Sequence, residues 1–172
     1  LRFDPQAVVK RSRGVADRLS KGVAFLMKKH KIDVIEGEAR LEKAGLAPKV
    51  IVRDKSYDAK HVILATGARA REIPAAGLKA DGKSIWTYRD AMVPPEWPDS
   101  LLVFGSGAIG IEFASFYAAF GVKVTVVELL DRVLPVEDEE ISAFAKKRFE
   151  KEGMKIMTST EAKTLKAMAN GV

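Results

Sequence analysis

The segment Gly105-Ser106-Gly107-Ala108-Ile109-Gly110 constrains the fold more than any other part of this chain. It follows the apolar run Leu101-Leu102-Val103-Phe104 and opens a stretch, 111–120, in which Phe113, Phe116, Tyr117 and Phe120 recur at helical spacing. A buried strand that turns through glycines straight into a helix leaves few architectures open. Gly105 permits the tight turn out of the strand. A side chain at Gly107 would keep a pyrophosphate from reaching the main chain. Gly110 lets the helix lie close against the strand. Gly121 predicts the helix stop, and Val122 to Val127 a second strand closed by Glu128. A third helix is expected over 137–152, with Glu137, Asp138, Glu139 and Glu140 early and Lys146, Lys147, Arg148 and Lys151 late, an order that suits the helix dipole. Met154 to Met157 reads as a third strand. Strand, helix, strand, helix, strand predicts an α/β, Rossmann-like, doubly wound parallel sheet.

In that setting the turn predicts a dinucleotide site. A diphosphate would meet main-chain N–H groups around Gly105, Ser106, Gly107, Ala108, Ile109 and Gly110, where the helix dipole favours an anion. Glu128, 23 residues after Gly105, has the type and place of an acid that accepts hydrogen bonds from an adenosine ribose and repels a 2′-phosphate. Arg132 alone is close by, next to Asp131, so NAD is favoured over NADP. Glu112 reads either as a first-turn acid stabilising the helix or as a contact to the far end of the cofactor.

The first part of the chain is plainer. Asp4-Pro5 predicts a helix start, followed by apolar residues at Val8, Val15, Leu19, Val23, Leu26 and Met27, one buried face, and Lys28, Lys29 and Lys31 at the end. Gly14 and Gly22 suggest close approach of another backbone. Strands are expected at 32–35 and 50–52, a turn or close approach at Gly37-Glu38-Ala39, and a hairpin at Asp54-Lys55. His61-Val62-Ile63-Leu64-Ala65 lacks alternation and predicts a strand covered on both faces. Residues 68–99, with Pro74, Gly77, Gly82, Pro94, Pro95 and Pro98, read as a connection between domains against which Trp86 and Trp97 pack. The chain opens on Leu1 without Met and stops within a pattern that should continue, as an internal piece of a longer protein would.

Composition excludes several chemistries. There is no cysteine among the 172 residues, so no disulfide framework, thiolate metal site or cysteine nucleophile is possible within them. Two histidines, His30 and His61, do not suggest a metal cluster. No apolar run reaches the roughly 18 residues of a membrane helix. The net charge of +6 is concentrated early: residues 1–60 hold 15 Lys+Arg and 8 Asp+Glu, a net of +7, and the remainder 14 and 15, a net of −1. A basic half can bind nucleic acid. Without interleaved aromatics it reads instead as the solvated face of a long helix, and no nucleic-acid or membrane partner is expected.

Three stretches together resemble one family. GSGAIGIEFASFYAAFGVKVTVVELLDRVLP is similar to the NAD-binding segment of the dihydrolipoamide dehydrogenases, which are flavoprotein disulfide reductases. HVILATGARAREIP resembles their second FAD signature, and RSRGVADRLSKGVAFLMKKHKIDVIEGEARL the helix and strand before it. The resemblance implies that 1–98 is the later portion of the first FAD-domain segment plus a linker, and 99–172 the first portion of the NAD-binding domain. It implies FAD contacts at Ala39, Thr66, Gly67 and Ala68, NAD contacts at the glycine turn and Glu128, and a place for Glu112 near the nicotinamide, paired with a lysine outside the chain. Ala70 stands where the family often has Pro, which bears on the local loop alone. The redox cysteine pair would precede Leu1 and a His/Glu acid–base pair would follow Val172, so no catalytic residue is expected here. The implied parent is a cytoplasmic homodimeric enzyme that oxidises dihydrolipoyl groups on the acyltransferase of a 2-oxo acid dehydrogenase complex and reduces NAD. Another flavoprotein disulfide reductase, an NADH oxidase or a non-catalytic dinucleotide-binding module are the alternatives.

Overall fold

In a computed structural model, residues 3–44, 47–74, 77–165 and 171 are described. The chain forms two compact units: residues up to Val9 together with those from Ala70 onward, and Lys10–Arg69. The helix α1 (Pro5–Lys29) runs through the boundary at its first turns. Asp4 caps it, its Oδ1 accepting from the N–H groups of Gln6 at 2.9 Å and Ala7 at 3.2 Å. Lys28 and Lys29 lie in the last turn, as the dipole favours.

The Lys10–Arg69 unit holds an antiparallel sheet, β1 (Ala39–Ala44), β2 (Ala47–Val52) and β3 (Lys55–Asp58), in the order β1-β2-β3. Val52 pairs with Lys55, so the two-residue turn of the second hairpin is Arg53-Asp54, one residue before the expected place. Arg53 adopts a left-handed backbone (φ 54°) there. Gly37 is the close-approach glycine the sequence suggested: its φ is 152°, and a Cβ on it would come within 2.6 Å of Val52 Cγ1.

Three expectations in this unit do not hold. Residues 32–35 and 61–65 form no strand. Apart from the half-buried Val62, their apolar side chains lie open, with Ile63 90% exposed. A strand exists only through its neighbours' hydrogen bonds, and no described strand pairs with either run. Likewise α1 buries no residue; Leu19, Val23 and Leu26 are exposed, and nothing approaches the Cβ positions of Gly14 or Gly22. The amphipathic spacing is real, but no described layer covers it.

The second unit follows the sequence closely. β4 (Ser100–Phe104), β5 (Lys123–Val127) and β6 (Lys155–Met157) form a parallel sheet in that order. Ser100 pairs with Lys123 and Phe104 with Val127. The linking helices are α3 (Ala108–Ala119) and α4 (Glu139–Lys151). Asp138 caps α4 through a bond from the Glu140 N–H at 2.9 Å, and Gly121 (φ 86°) and Gly153 (φ 97°) follow the two helix ends. Ile111, Ala114 and Tyr117 recur every three residues on the buried side of α3 and pack with Val122, Val124, Val126 and Met154.

The segment before β4 belongs to this core. Trp86, Trp97, Phe116 and Phe120 gather around Tyr117, with Trp97 at 5.0 Å and Trp86 at 6.3 Å from its ring centre. Phe3 reaches Phe120 at 4.5 Å. Pairs at such distances add about 0.5–1.5 kcal/mol each beyond the area they bury. Between the two tryptophans a further short helix, α2 (Tyr88–Met92), starts from a Thr87–Asp90 capping box. Tyr117 is fully buried, and its hydroxyl donates to the Ala91 carbonyl at 2.8 Å.

Burial pushes the Tyr117 phenol up to about 12. The folded state therefore keeps a proton that the unfolded chain gives up at its ordinary value, and stability falls as pH rises from about 10 to 12. Tyr117→Phe should cost about 1 kcal/mol at neutral pH, through the orphaned Ala91 carbonyl, and flatten that alkaline loss relative to the parent protein in denaturant titrations. Gly110→Ala should destabilise more, by about 1–3 kcal/mol, because its Cβ would collide with the Gly105 carbonyl oxygen.

Candidate functional site: an open glycine turn closed by a buried carboxylate

The turn between β4 and α3 is held from several sides. The Gly105 N–H donates to Val127 O at 2.9 Å, continuing the sheet one residue past β4. Gly105 then takes φ 90°, a left-handed conformation that glycine adopts without penalty. Gly110 sits against the Gly105 carbonyl so closely that no side chain fits. Gly107 differs from both. It is the N-cap of α3 with φ −64° and ψ 174°, and open space lies where its Cβ would be. A glycine cap has no side chain to satisfy the first N–H groups of the helix. The turn thus presents bare main chain, at the positive end of the helix dipole, to open space.

Ser106 and Glu128 close the inner side of this turn. Glu128 directly follows β5 and its backbone is fixed twice, its N–H donating to Met157 O at 2.8 Å and its carbonyl accepting from Thr160 N at 2.9 Å. Its side chain is buried and points into the turn. Oε2 accepts from both the N–H and the Oγ of Ser106, each at 2.7 Å. Oε1 accepts from the Leu130 N–H at 2.8 Å. Burial pushes this carboxyl up, but the bonds from Leu130 and Ser106 outweigh it and hold the group below the ordinary glutamate value. Ser106 is itself completely buried, and its carbonyl accepts from Leu134 N at 2.9 Å. The Leu134 carbonyl in turn takes the Ser142 hydroxyl at 3.2 Å, which ties the loop after β5 to α4.

The sequence-predicted residues fall into two sets. Gly105, Gly107, Ala108 and Ile109 are exposed around the open turn, with Gly110 behind it, and Glu128 meets the turn from β5. Ser106 is in the turn but turned inward. Glu112 lies beyond the first helical turn, on the exposed side of α3, so it is not a first-turn acid. Ala39, Thr66, Gly67 and Ala68 belong to the Lys10–Arg69 unit, where Ala39 pairs with Val52 and Gly67 takes φ 72° in open space. Leu130, Leu134 and Met157, which position the site through main-chain bonds alone, were not legible; a backbone contact leaves no residue type behind to read.

Residues 3–172 match the family described as pyridine nucleotide-disulphide oxidoreductase. The dihydrolipoyl dehydrogenase of Rhizobium etli is 50% identical over 98% of this chain and 38% of its own length. That of Zymomonas mobilis is 46% identical over 99% of this chain and 36% of its own. Among solved structures, LpdA from Mycobacterium tuberculosis superposes with a TM-score of 0.85 at 29% identity, covering 98% of this chain and 38% of LpdA. The chain spans little more than a third of the length of these relatives. A family match over nearly every residue, together with the parallel sheet and its glycine turn, makes this chain a member of the pyridine nucleotide-disulphide oxidoreductases.

Proposed function

We propose that these residues form the cofactor-holding part of an FAD-dependent dihydrolipoyl dehydrogenase. One observation carries the reading: open main chain at Gly107 stands beside a buried carboxylate that is fixed in the turn and still has capacity to accept. Ser106 and Leu130 supply three bonds to the two oxygens, and the Leu129 N–H also stabilises the charged form. A carboxylate at the end of the second strand suits a ribose hydroxyl, and its negative charge opposes a 2′-phosphate, so NAD is the fitting dinucleotide. Its diphosphate would lie over Gly105, Gly107, Ala108 and Ile109, with Gly110 keeping the helix close and Glu112 toward the nicotinamide end. FAD would be held by Ala39 and by Thr66, Gly67 and Ala68, where exposed backbone and the left-handed Gly67 leave room for a nucleotide. In domain terms, 1–98 are the later portion of the first flavin-domain segment plus a linker, and 99–172 the first portion of the domain for the nicotinamide nucleotide.

The reaction takes a dihydrolipoyl dithiol to the disulfide, passes two electrons to NAD as hydride equivalents and releases a proton. When bound, the flavin supplies the relay between dithiol and nicotinamide. The residues of this chain bind and orient; with no cysteine, they contribute no thiol to the redox centre. The relatives' name, dihydrolipoyl dehydrogenase, supports a dihydrolipoyl group as the substrate; its proposed carrier is the acyltransferase of a 2-oxo acid dehydrogenase complex, and the proposed working state is a homodimer in the cytoplasm. Among the described residues no helix is long and apolar enough to cross a membrane.

The experiment is a titration of the protein with NADH and NADPH, followed by ligand fluorescence. NADH should bind at least tenfold tighter. Gly107→Ala should leave the thermal midpoint unchanged, since a Cβ meets nothing and the backbone suits alanine, yet weaken NADH by tenfold or more. Equal affinity for both nucleotides, or an unaffected Gly107→Ala variant, would remove the basis for the assignment.

A further inference from the structure

Ser106 stands at a position of the glycine turn where the dinucleotide fingerprint asks only for a residue that fits. Here its side chain is completely buried and does not face the open side of the turn. Every polar group it has is engaged: the N–H and Oγ with Glu128 Oε2, at 2.7 Å each, and the carbonyl with the Leu134 N–H at 2.9 Å. The hydroxyl has one proton, and it goes to the carboxylate, because an ionised carboxylate only accepts. We infer that Ser106 is a specificity-determining positioning residue, whose hydroxyl locks the Glu128 carboxylate in place so that it stays available to a ribose hydroxyl and cannot withdraw from a 2′-phosphate. The inference rests on the nucleotide reading given above and extends it from the acid to the residue that aims it.

The physical argument concerns freedom of the carboxylate. The terminal torsion of a glutamate is broad and held by no strong intrinsic preference. Each oxygen of Glu128 receives one main-chain N–H, from Ser106 on one side and Leu130 on the other. The Ser106 hydroxyl adds a further donor, on the same oxygen that receives the Ser106 N–H. With it, Oε2 carries two donors and is saturated, which pins that side of the carboxylate. Without it, Oε2 regains an empty lone pair in a buried place, and the carboxylate gains from rotating outward toward water. A carboxylate that can swing out meets a ribose hydroxyl less often and evades a 2′-phosphate more easily. NAD preference therefore depends on a hydroxyl that need not touch either nucleotide.

Ser106→Ala removes one oxygen atom from a packed site and keeps the N–H bond. The test uses the polypeptide that carries these residues, in four forms: parent, Ser106→Ala, Glu128→Ala and the double variant, each titrated with NADH and NADPH. In Ser106→Ala the ratio of NADPH to NADH dissociation constants should fall about tenfold, the worth of one hydrogen bond to a charged group. In the Glu128→Ala background the same change should move the ratio less than twofold, since the hydroxyl then has no carboxylate to hold. In turnover, KM for NAD should rise several-fold with kcat unchanged. Because a ratio within one preparation does not depend on the folded fraction, partial misfolding cannot imitate this result. An unchanged ratio in Ser106→Ala, or an equal shift with and without Glu128, would overturn the role given to Ser106 while leaving the nucleotide reading intact. A parent protein that binds neither nucleotide would overturn both.

Discussion

The bond set around the Glu128 carboxylate fastens the βαβ unit at the point where its function lies. Three donors from two segments converge on one side chain: two from the turn that leaves β4 and one from the loop that leaves β5. A buried carboxylate without partners would cost several kcal/mol and would take up a proton instead. Here the donors are strong enough to keep it ionised below the usual range, so the same bonds that secure the turn also preserve its charge. The backbone of Glu128 is fixed by Met157 and Thr160, and Ser106 is fixed by Leu134. The site is therefore rigid because each of its parts completes the hydrogen bonding of another.

Position of the turn along the helix axis depends on a second, purely steric contact. Gly110 and the Gly105 carbonyl meet without room for a side chain, which sets how closely α3 approaches β4. That contact is paid for by the aromatic cluster at the other end of the helix, where Trp86 and Trp97 close over Tyr117 and bury it. Packing at residues 116–120 thus supports geometry at residues 105–110, one helix length away. The open space at Gly107 persists for the same reason: the helix cannot slide or tilt to fill it while both ends are anchored.

The sequence was informative where local pattern and tertiary context agree. Strand, glycine turn, helix, strand and acid all appear in 101–128 within three residues of their observed limits, because each is encoded by residue type at short range: apolar runs for strands, glycines for sterically demanded turns, a carboxylate at a strand end. The inward turn of Ser106 was not legible, since serine is small enough for either side and its hydroxyl finds its partner 22 residues away. The strand β1 was missed because Ala-Arg-Leu-Glu-Lys-Ala has helix-forming residues; its pairing with β2, which is β-branched at Val50, Ile51 and Val52, overrides that preference.

The opposite error, at 61–65, has a physical cause of the same kind. His61-Val62-Ile63-Leu64-Ala65 has the composition of a strand with layers on both faces, and composition specifies what a segment tolerates, not what surrounds it. Backbone hydrogen bonds and apolar cover come from other segments, and none of the described strands supplies them. Nine residues from the run, Val52 is the only buried apolar side chain among the described residues of its unit, whereas the sheet of β4, β5 and β6 has Val124, Val126 and the buried face of α3. One buried apolar side chain among the described residues does not offset the conformational entropy of ordering such a unit at roughly 1–2 kcal/mol per residue. The exposed Ile63 and Leu64, and the bare face of α1, are therefore surfaces that require cover for the unit to be stable, and the βαβ unit is the part whose stability its own residues can explain.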